Sequence, residues 1–147
     1  MANALRKARA ADAPSGAIVL GVDTDVVLDG RILGKAADET EARAHLESLS
    51  GRTHEVMSGI ALVGPAGEDP PPERTGLARS LVTIRSLDPA SLDLYLASGE
   101  WRDRAGAYAI QGLGSILVER LEGDFSNVVG MPVRALFELA PELWPKH

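Results

Sequence analysis

Residues 17–33, "AIVLGVDTDVVLDGRIL", constrain the fold more than any other stretch of the chain. Residues 17–22 are an apolar run of strand length. Two short apolar arms then flank Asp29-Gly30. An Asp-Gly pair supplies the two positive φ angles of a tight hairpin turn, so the first strand is expected to continue into a hairpin. Asp23, Thr24 and Asp25 interrupt the apolar run. Carboxylates where a core strand ends are well placed to hold a divalent metal or to take a proton from water. Asp and Thr are also ordinary turn residues, and a solvated turn accounts for them equally well.

The rest of the chain alternates between the two periodicities. Residues 38–51 predict a helix, with Asp38 as cap, Glu41 completing a capping box, and Ala42, Leu46 and Leu49 on one face. Residues 53–64 alternate as a strand, with Val56, Ile60 and Leu62 on one side and Met57, Ala61 and Val63 on the other. Three consecutive prolines make residues 65–76 an exposed connection. A strand is predicted over 77–87. A helix should open at Asp88-Pro89, bury Leu92, Tyr95 and Leu96, and stop at Gly99. Residues 105–115 read as a Gly- and Ala-rich loop, 115–123 as a strand, and 124–130 as a short strand or turn. A closing helix should turn Val133, Leu136 and Phe137 inward. The pattern predicts one domain of α/β class, a mixed twisted sheet flanked by helices.

Composition narrows the function classes. A chain of 147 residues with 45% apolar content can bury a core. A net charge of −6 argues against a general nucleic-acid surface but leaves room for a small basic phosphate pocket. No apolar run approaches the roughly 18 residues of a membrane span, and residues 1–14 lack the apolar core of a secretory signal. The absence of cysteine removes disulfides and thiolate metal sites and suits a reducing cytoplasm. His45, His54 and His147 have no metal-ligand spacing.

Among the remaining polar residues, Lys35 follows the hairpin beside Gly34 and is one of three lysines, with Lys7 and Lys146 near the ends. Such a lysine can reach a phosphate as a point charge. Arg52 lies at a helix-to-strand junction, and arginine suits phosphate geometry. In "GEWRDRAGAYAIQG", Arg102, Asp103 and Arg104 precede small residues. Gln111 there carries both the donor and the acceptor that reading a base edge requires. Solvated surface positions explain each of these residues taken singly. No phosphate-loop lysine motif and no nucleophile elbow occur.

Taken together and in order, "GVDTDVVLDGRILGKAAD", "LSGRTHEVMSGIALV" and "SGEWRDRAGAYAIQGLGSILVERLEGDFSNVVGMPV" resemble the Maf family of nucleoside triphosphate pyrophosphatases, from about Asn3 to Leu139. The resemblance implies an α/β fold related to inosine-triphosphate pyrophosphatases, a homodimer, and hydrolysis of a nucleoside triphosphate to monophosphate and pyrophosphate with Mg2+ or Mn2+. It casts Asp23 as proton acceptor and possible metal ligand, with burial expected to raise its pKa toward neutrality. Thr24 and Gln111 fall at positions tied to substrate preference, and the "IQG" form resembles the subgroup acting on dTTP and UTP. Lys35, Arg52 and Arg104 fall to the phosphates, Asp103 to a metal, and Asp124 within a family motif. An alternative on the same resemblance is a catalytically impaired nucleotide-binding or cell-division regulatory protein. Asp25 stands where the family commonly has a small or apolar residue, and Arg104 where many members have Lys. No S-x-S-P-R-R loop is found, so the family's first strand, that phosphate-gripping loop and the first helix are expected to be missing.

Overall fold

The computed structural model describes residues 1–65, 67 and 71–145. The proline-rich connection falls partly outside these residues, as do Lys146 and His147. Helix α1 (Ala2–Ala10) precedes strands β1 (Val19–Leu28) and β2 (Arg31–Leu33). Helix α2 (Glu39–Leu49), the long strands β3 (Thr53–Val63) and β4 (Glu73–Ile84), and helix α3 (Pro89–Ser98) follow. A 3-10 turn (Gly112–Ile116), β5 (Val118–Glu122) and the short helices α4 (Phe125–Val129) and α5 (Val133–Leu139) complete the order, with a final 3-10 turn at Pro141–Leu143. The strands form one sheet ordered β2-β1-β3-β4-β5, flanked by helices, and these pairings are all antiparallel.

Strand periodicity gives this sheet two different faces. On one, Val26, Leu28, Val56, Val82 and Ile84 pack with Leu46 and Leu49 of α2 and Leu92, Tyr95 and Leu96 of α3 to form the main core. On the other, Ala61, Val63 and Val19 meet α1 through Ala4, Ala8 and Leu5. That second layer is thin because α1 rides on backbone. A Cβ at Gly21 would lie 2.1 Å from the Ala4 carbonyl oxygen, and one at Gly59 would lie 2.7 Å from the Met1 nitrogen. Any side chain at Gly21 would lift the helix off β1.

Several expectations hold at the level of residues. Asp29 (φ 50°) and Gly30 (φ 76°) make the hairpin turn. Asp38 caps α2 by accepting from the Glu41 amide, while the Glu41 carboxylate accepts from Ala37 N. Asp88 caps α3, and Gly99 ends it in the left-handed region.

Others are corrected. Strand β1 does not end at Asp23; it runs through the acids to Leu28, because pairing with β3 continues past Asp23, Thr24 and Asp25. Strand β4 begins at Glu73, inside the segment read as loop. Residues 125–129 are a short helix rather than a strand or turn: Asp124 accepts from the Ser126 amide at 2.8 Å, an N-cap that outweighs the strand preference of the two valines. Val133 and Phe137 are exposed, with the Phe137 ring 5.2 Å from that of Trp144. Leu136 is half-buried, and Leu139 lies near Gly76 of β4. Among the described residues, no helix is long and apolar enough to cross a membrane.

The core holds a titratable pair. His54 is 2% exposed, and its Nε2 lies 2.7 Å from the Tyr108 hydroxyl. Burial pushes the imidazole from 6.5 down to about 4 and the Tyr108 phenol upward, so both are neutral near pH 7. The unfolded chain takes a proton on His54 near pH 6.5, whereas the native protein takes one only near pH 4. Stability is therefore full above pH 6.5 and falls on acidification to pH 4, by up to about 3 kcal/mol. Urea titrations across that window should show the loss, and His54→Gln should flatten it. An unchanged slope in the variant contradicts the assignment.

Candidate active site

A hollow of about 330 Å³ opens on the core face of the sheet. Val26 of β1 and Val56 of β3 contribute to its sheet wall. Tyr108 and Ile110 of the glycine-containing loop, and Val128 and Val129 of α4, extend the apolar part. The polar part carries Lys7, Asp25, Lys35, Asp103 and Arg104. Thr24 and Gln111 also line it. The apolar lining suits a flat ring, and the charged lining suits an anion with its counter-charges.

Local structure places these groups. Thr24 Oγ1 lies 2.7 Å from Ser58 Oγ on the paired strand. The Lys35 loop is tied to the glycine-containing loop by a backbone bridge between Lys35 and Ala105 and by bonds from the Gly106 amide to the Leu33 and Gly34 carbonyls. Lys35 Nζ lies 3.9 Å from Asp103, and both side chains are mostly exposed. Helix α4 is anchored by the buried Asn127, whose Nδ2 donates to the Val56 carbonyl and to Ser80 Oγ. That anchor holds Val128 and Val129 against the hollow and gives Asp124, its cap, a structural role.

Asp23 is not part of the hollow's lining. Its neighbours Thr24 and Asp25 are, at the part of β1 that β2 does not cover. The Asp23 carboxylate lies under α1, where Lys7 Nζ donates to it at 2.6 Å and Asn3 Nδ2 at 3.1 Å. Lys7 also donates to the Val22 carbonyl at 3.1 Å. Lys7 does line the hollow, so one ammonium separates the carboxylate from it. Burial pushes the Asp23 carboxyl up, but hydrogen bonds from Lys7 and Asn3 and the Lys7 charge outweigh it and hold it below the ordinary carboxylate value. The expected rise toward neutrality is reversed.

Thr24, Lys35, Asp103, Arg104 and Gln111 are thus brought together, with Asp25 beside them. Arg52 is not. It pairs with Asp29 at the hairpin turn, on the order of 20 Å along β1 from Asp23. The phosphate role read for it from sequence does not fit that position, because its guanidinium is committed to the turn. Reasoning from sequence missed Lys7 and Tyr108. The Asn3–Lys7 spacing of four residues was the available sign, since it puts both side chains on one helical face.

Among the described residues, no group of three or more His, Asp or Glu side chains is arranged to hold a metal. Asp25 and Asp103 are the acidic residues of the hollow's lining, Asp25 leaving β1 on the same side as Asp23. That donor set fits an ion of the magnesium class, which takes one or two carboxylates and draws its remaining ligands from phosphates and water.

The family model described as Maf-like protein matches residues 1–143. A dTTP/UTP pyrophosphatase of Deinococcus radiodurans is 45% identical over 134 residues, which is 90% of this chain and 66% of that protein. A dTTP/UTP pyrophosphatase of Moorella thermoacetica is 49% identical over 138 residues, 92% of this chain and 69% of its own. A third, from Dictyoglomus turgidum, is 44% identical over 140 residues, covering 93% and 70%. The chain therefore spans about two thirds of the length of these relatives.

The Lys7–Asp23 contact has a measurable signature. A carboxyl held below its ordinary pKa stabilises the native state above the unfolded value, and loses that contribution as pH falls through the depressed one. Titration of the Asp23 carboxyl carbon by NMR should give a midpoint below the ordinary carboxylate value. Lys7→Met should raise it. An unmoved midpoint in that variant means the ammonium is not what sets it.

Proposed function

This chain belongs to the Maf-like protein family, and we propose that it hydrolyses dTTP and UTP to the monophosphate and pyrophosphate. The observation that carries this reading is one hollow whose lining combines the aromatic and apolar Tyr108, Val56 and Ile110 with Gln111 and with the cations Lys7, Lys35 and Arg104. The names of the relatives support the choice of nucleotide.

In this reading the base lies against Tyr108, Val56 and Ile110, with its edge toward Gln111 and Thr24. The triphosphate lies along Lys7, Lys35 and Arg104. Water attacks the α-phosphorus and forms the new P–O bond as the bond to the β-bridging oxygen breaks. Pyrophosphate leaves with the bonding electrons, and the water proton passes to the Asp23 carboxylate. Lysine and arginine stabilise the charge that builds on the phosphate oxygens. Asp23 is released for this task when the triphosphate draws the Lys7 ammonium toward the hollow. Asp25 and Asp103 would hold a divalent cation arriving with the triphosphate, which would supply further neutralisation of that charge. A cytoplasmic setting and a homodimer belong to the same reading.

A second reading is favoured by one observation. The candidate base is paired with Lys7 beneath α1 and lies outside the hollow, an arrangement that suits nucleotide binding without turnover. One assay separates the two: pyrophosphate release from dTTP and UTP with Mg2+ or Mn2+. Turnover is expected, and Asp23→Asn should cut kcat by about a hundredfold or more while nucleotide binding survives. Tight binding with no turnover in the unaltered chain selects the second reading, and full activity in Asp23→Asn removes Asp23 from the chemistry.

A further inference from the structure

Gln111 occupies the N-cap position of the 3-10 turn Gly112–Ile116, yet its side chain makes no cap bond. A side-chain acceptor at that position ordinarily takes the amide two or three residues on, because the first amides of a helical turn have no partner within it. Here both of those amides are already taken. Leu113 N donates to Glu100 Oε1 and Gly114 N donates to Glu100 Oε2, each at 3.1 Å. The capping acceptor comes from the segment after α3, eleven residues before Gln111 in sequence. It sits tightly in place: a Cβ at Gly112 would lie 2.8 Å from Glu100 Oε1. The Glu100 backbone amide donates in turn to Ser98 Oγ at 3.2 Å.

The consequence falls on Gln111. With its own turn capped by Glu100, the carboxamide has no local amide to fold back upon. It stands exposed where the main hollow meets a neighbouring one that Glu100 itself lines. We propose that Glu100 is a positioning residue for nucleotide recognition: by capping the turn after Gln111 from outside, it leaves the Gln111 carboxamide free to bond a base edge in the hollow. The proposal rests on the reading of that hollow as a nucleotide site. Without Glu100, the Gln111 Oε1 becomes the nearest acceptor for the Leu113 and Gly114 amides, and capping withdraws it from the base.

The test is a double-mutant cycle on the full chain with UTP, using Glu100→Ala, Gln111→Ala and the double variant. Glu100→Gln, which keeps one acceptor oxygen, is the milder companion should Glu100→Ala fold poorly. Glu100→Ala should raise KM and lower kcat/KM about tenfold with kcat little changed, and Glu100→Gln should do so less. The double variant should be no worse than Gln111→Ala alone, because Glu100 acts only through Gln111. A merely structural clamp would instead give losses that multiply, or a lower melting temperature with KM unchanged, and either result overturns the proposal. Binding of UTP, followed by calorimetry, separates the two levels. A chain that binds no UTP overturns the nucleotide reading and this proposal with it. One that binds UTP and shows multiplying losses overturns the proposal alone.

Discussion

A β-strand cannot send neighbouring side chains to the same side, and β1 carries its chemistry on neighbours. Thr24 faces the hollow with Val26, while Asp23 faces α1. The Lys7 ammonium is what joins the two sides, touching the Asp23 carboxylate and the Val22 carbonyl while lining the hollow. Its position depends on α1 lying directly on the backbone of β1 and β3, which only Gly21 and Gly59 permit. Two glycines with no polar atoms of their own thereby govern the electrostatics of the candidate base.

The charged wall is otherwise built from loops held at several points. The Gly106 amide, the Lys35–Ala105 bridge, the Tyr95 hydroxyl bonded by Ala109 N, and the His54–Tyr108 pair fix the segment that carries Asp103, Arg104 and Gln111. Asp103 and Ala107 adopt positive φ there, a conformation non-glycine residues hold only when their surroundings enforce it. The order of this loop comes from neutral hydrogen bonds, of which the His54–Tyr108 bond is buried. Its solvent-facing charges, Lys35 and Asp103, add little to that order at their exposure.

How much of this was legible in the sequence depends on the range of the interaction. Local signals read correctly: the Asp29-Gly30 turn, the Asp38 and Asp88 caps and the apolar faces of α2 and α3 each follow from residues within one turn of one another. The end of β1 was misread because two aspartates look like a boundary. They are tolerated within the strand because Lys7 and Asn3, sixteen and twenty residues away, satisfy Asp23. Helix α4 was missed because valines favour strands, whereas its Asp124 cap and the burial of Asn127 decided the matter. The family resemblance puts Arg52 with the phosphates, whereas its partner here is Asp29 at the hairpin turn, set by how α2 returns to the hairpin. The grouping of Thr24, Lys35, Arg104 and Gln111 came from the family resemblance, because no short-range pattern links positions so far apart in the chain.

The central claim is that Lys7 serves Asp23 when the hollow is empty of triphosphate and serves the phosphates when it is filled. The most direct measurement is a crystal structure of the chain with a non-hydrolysable α,β-imido analogue of dUTP and Mg2+. The Lys7 ammonium should be found on a phosphate oxygen, with the Asp23 carboxylate released and a water between it and the α-phosphorus. A bound analogue with Lys7 still seated on Asp23, and no phosphate within reach of its ammonium, would contradict the account.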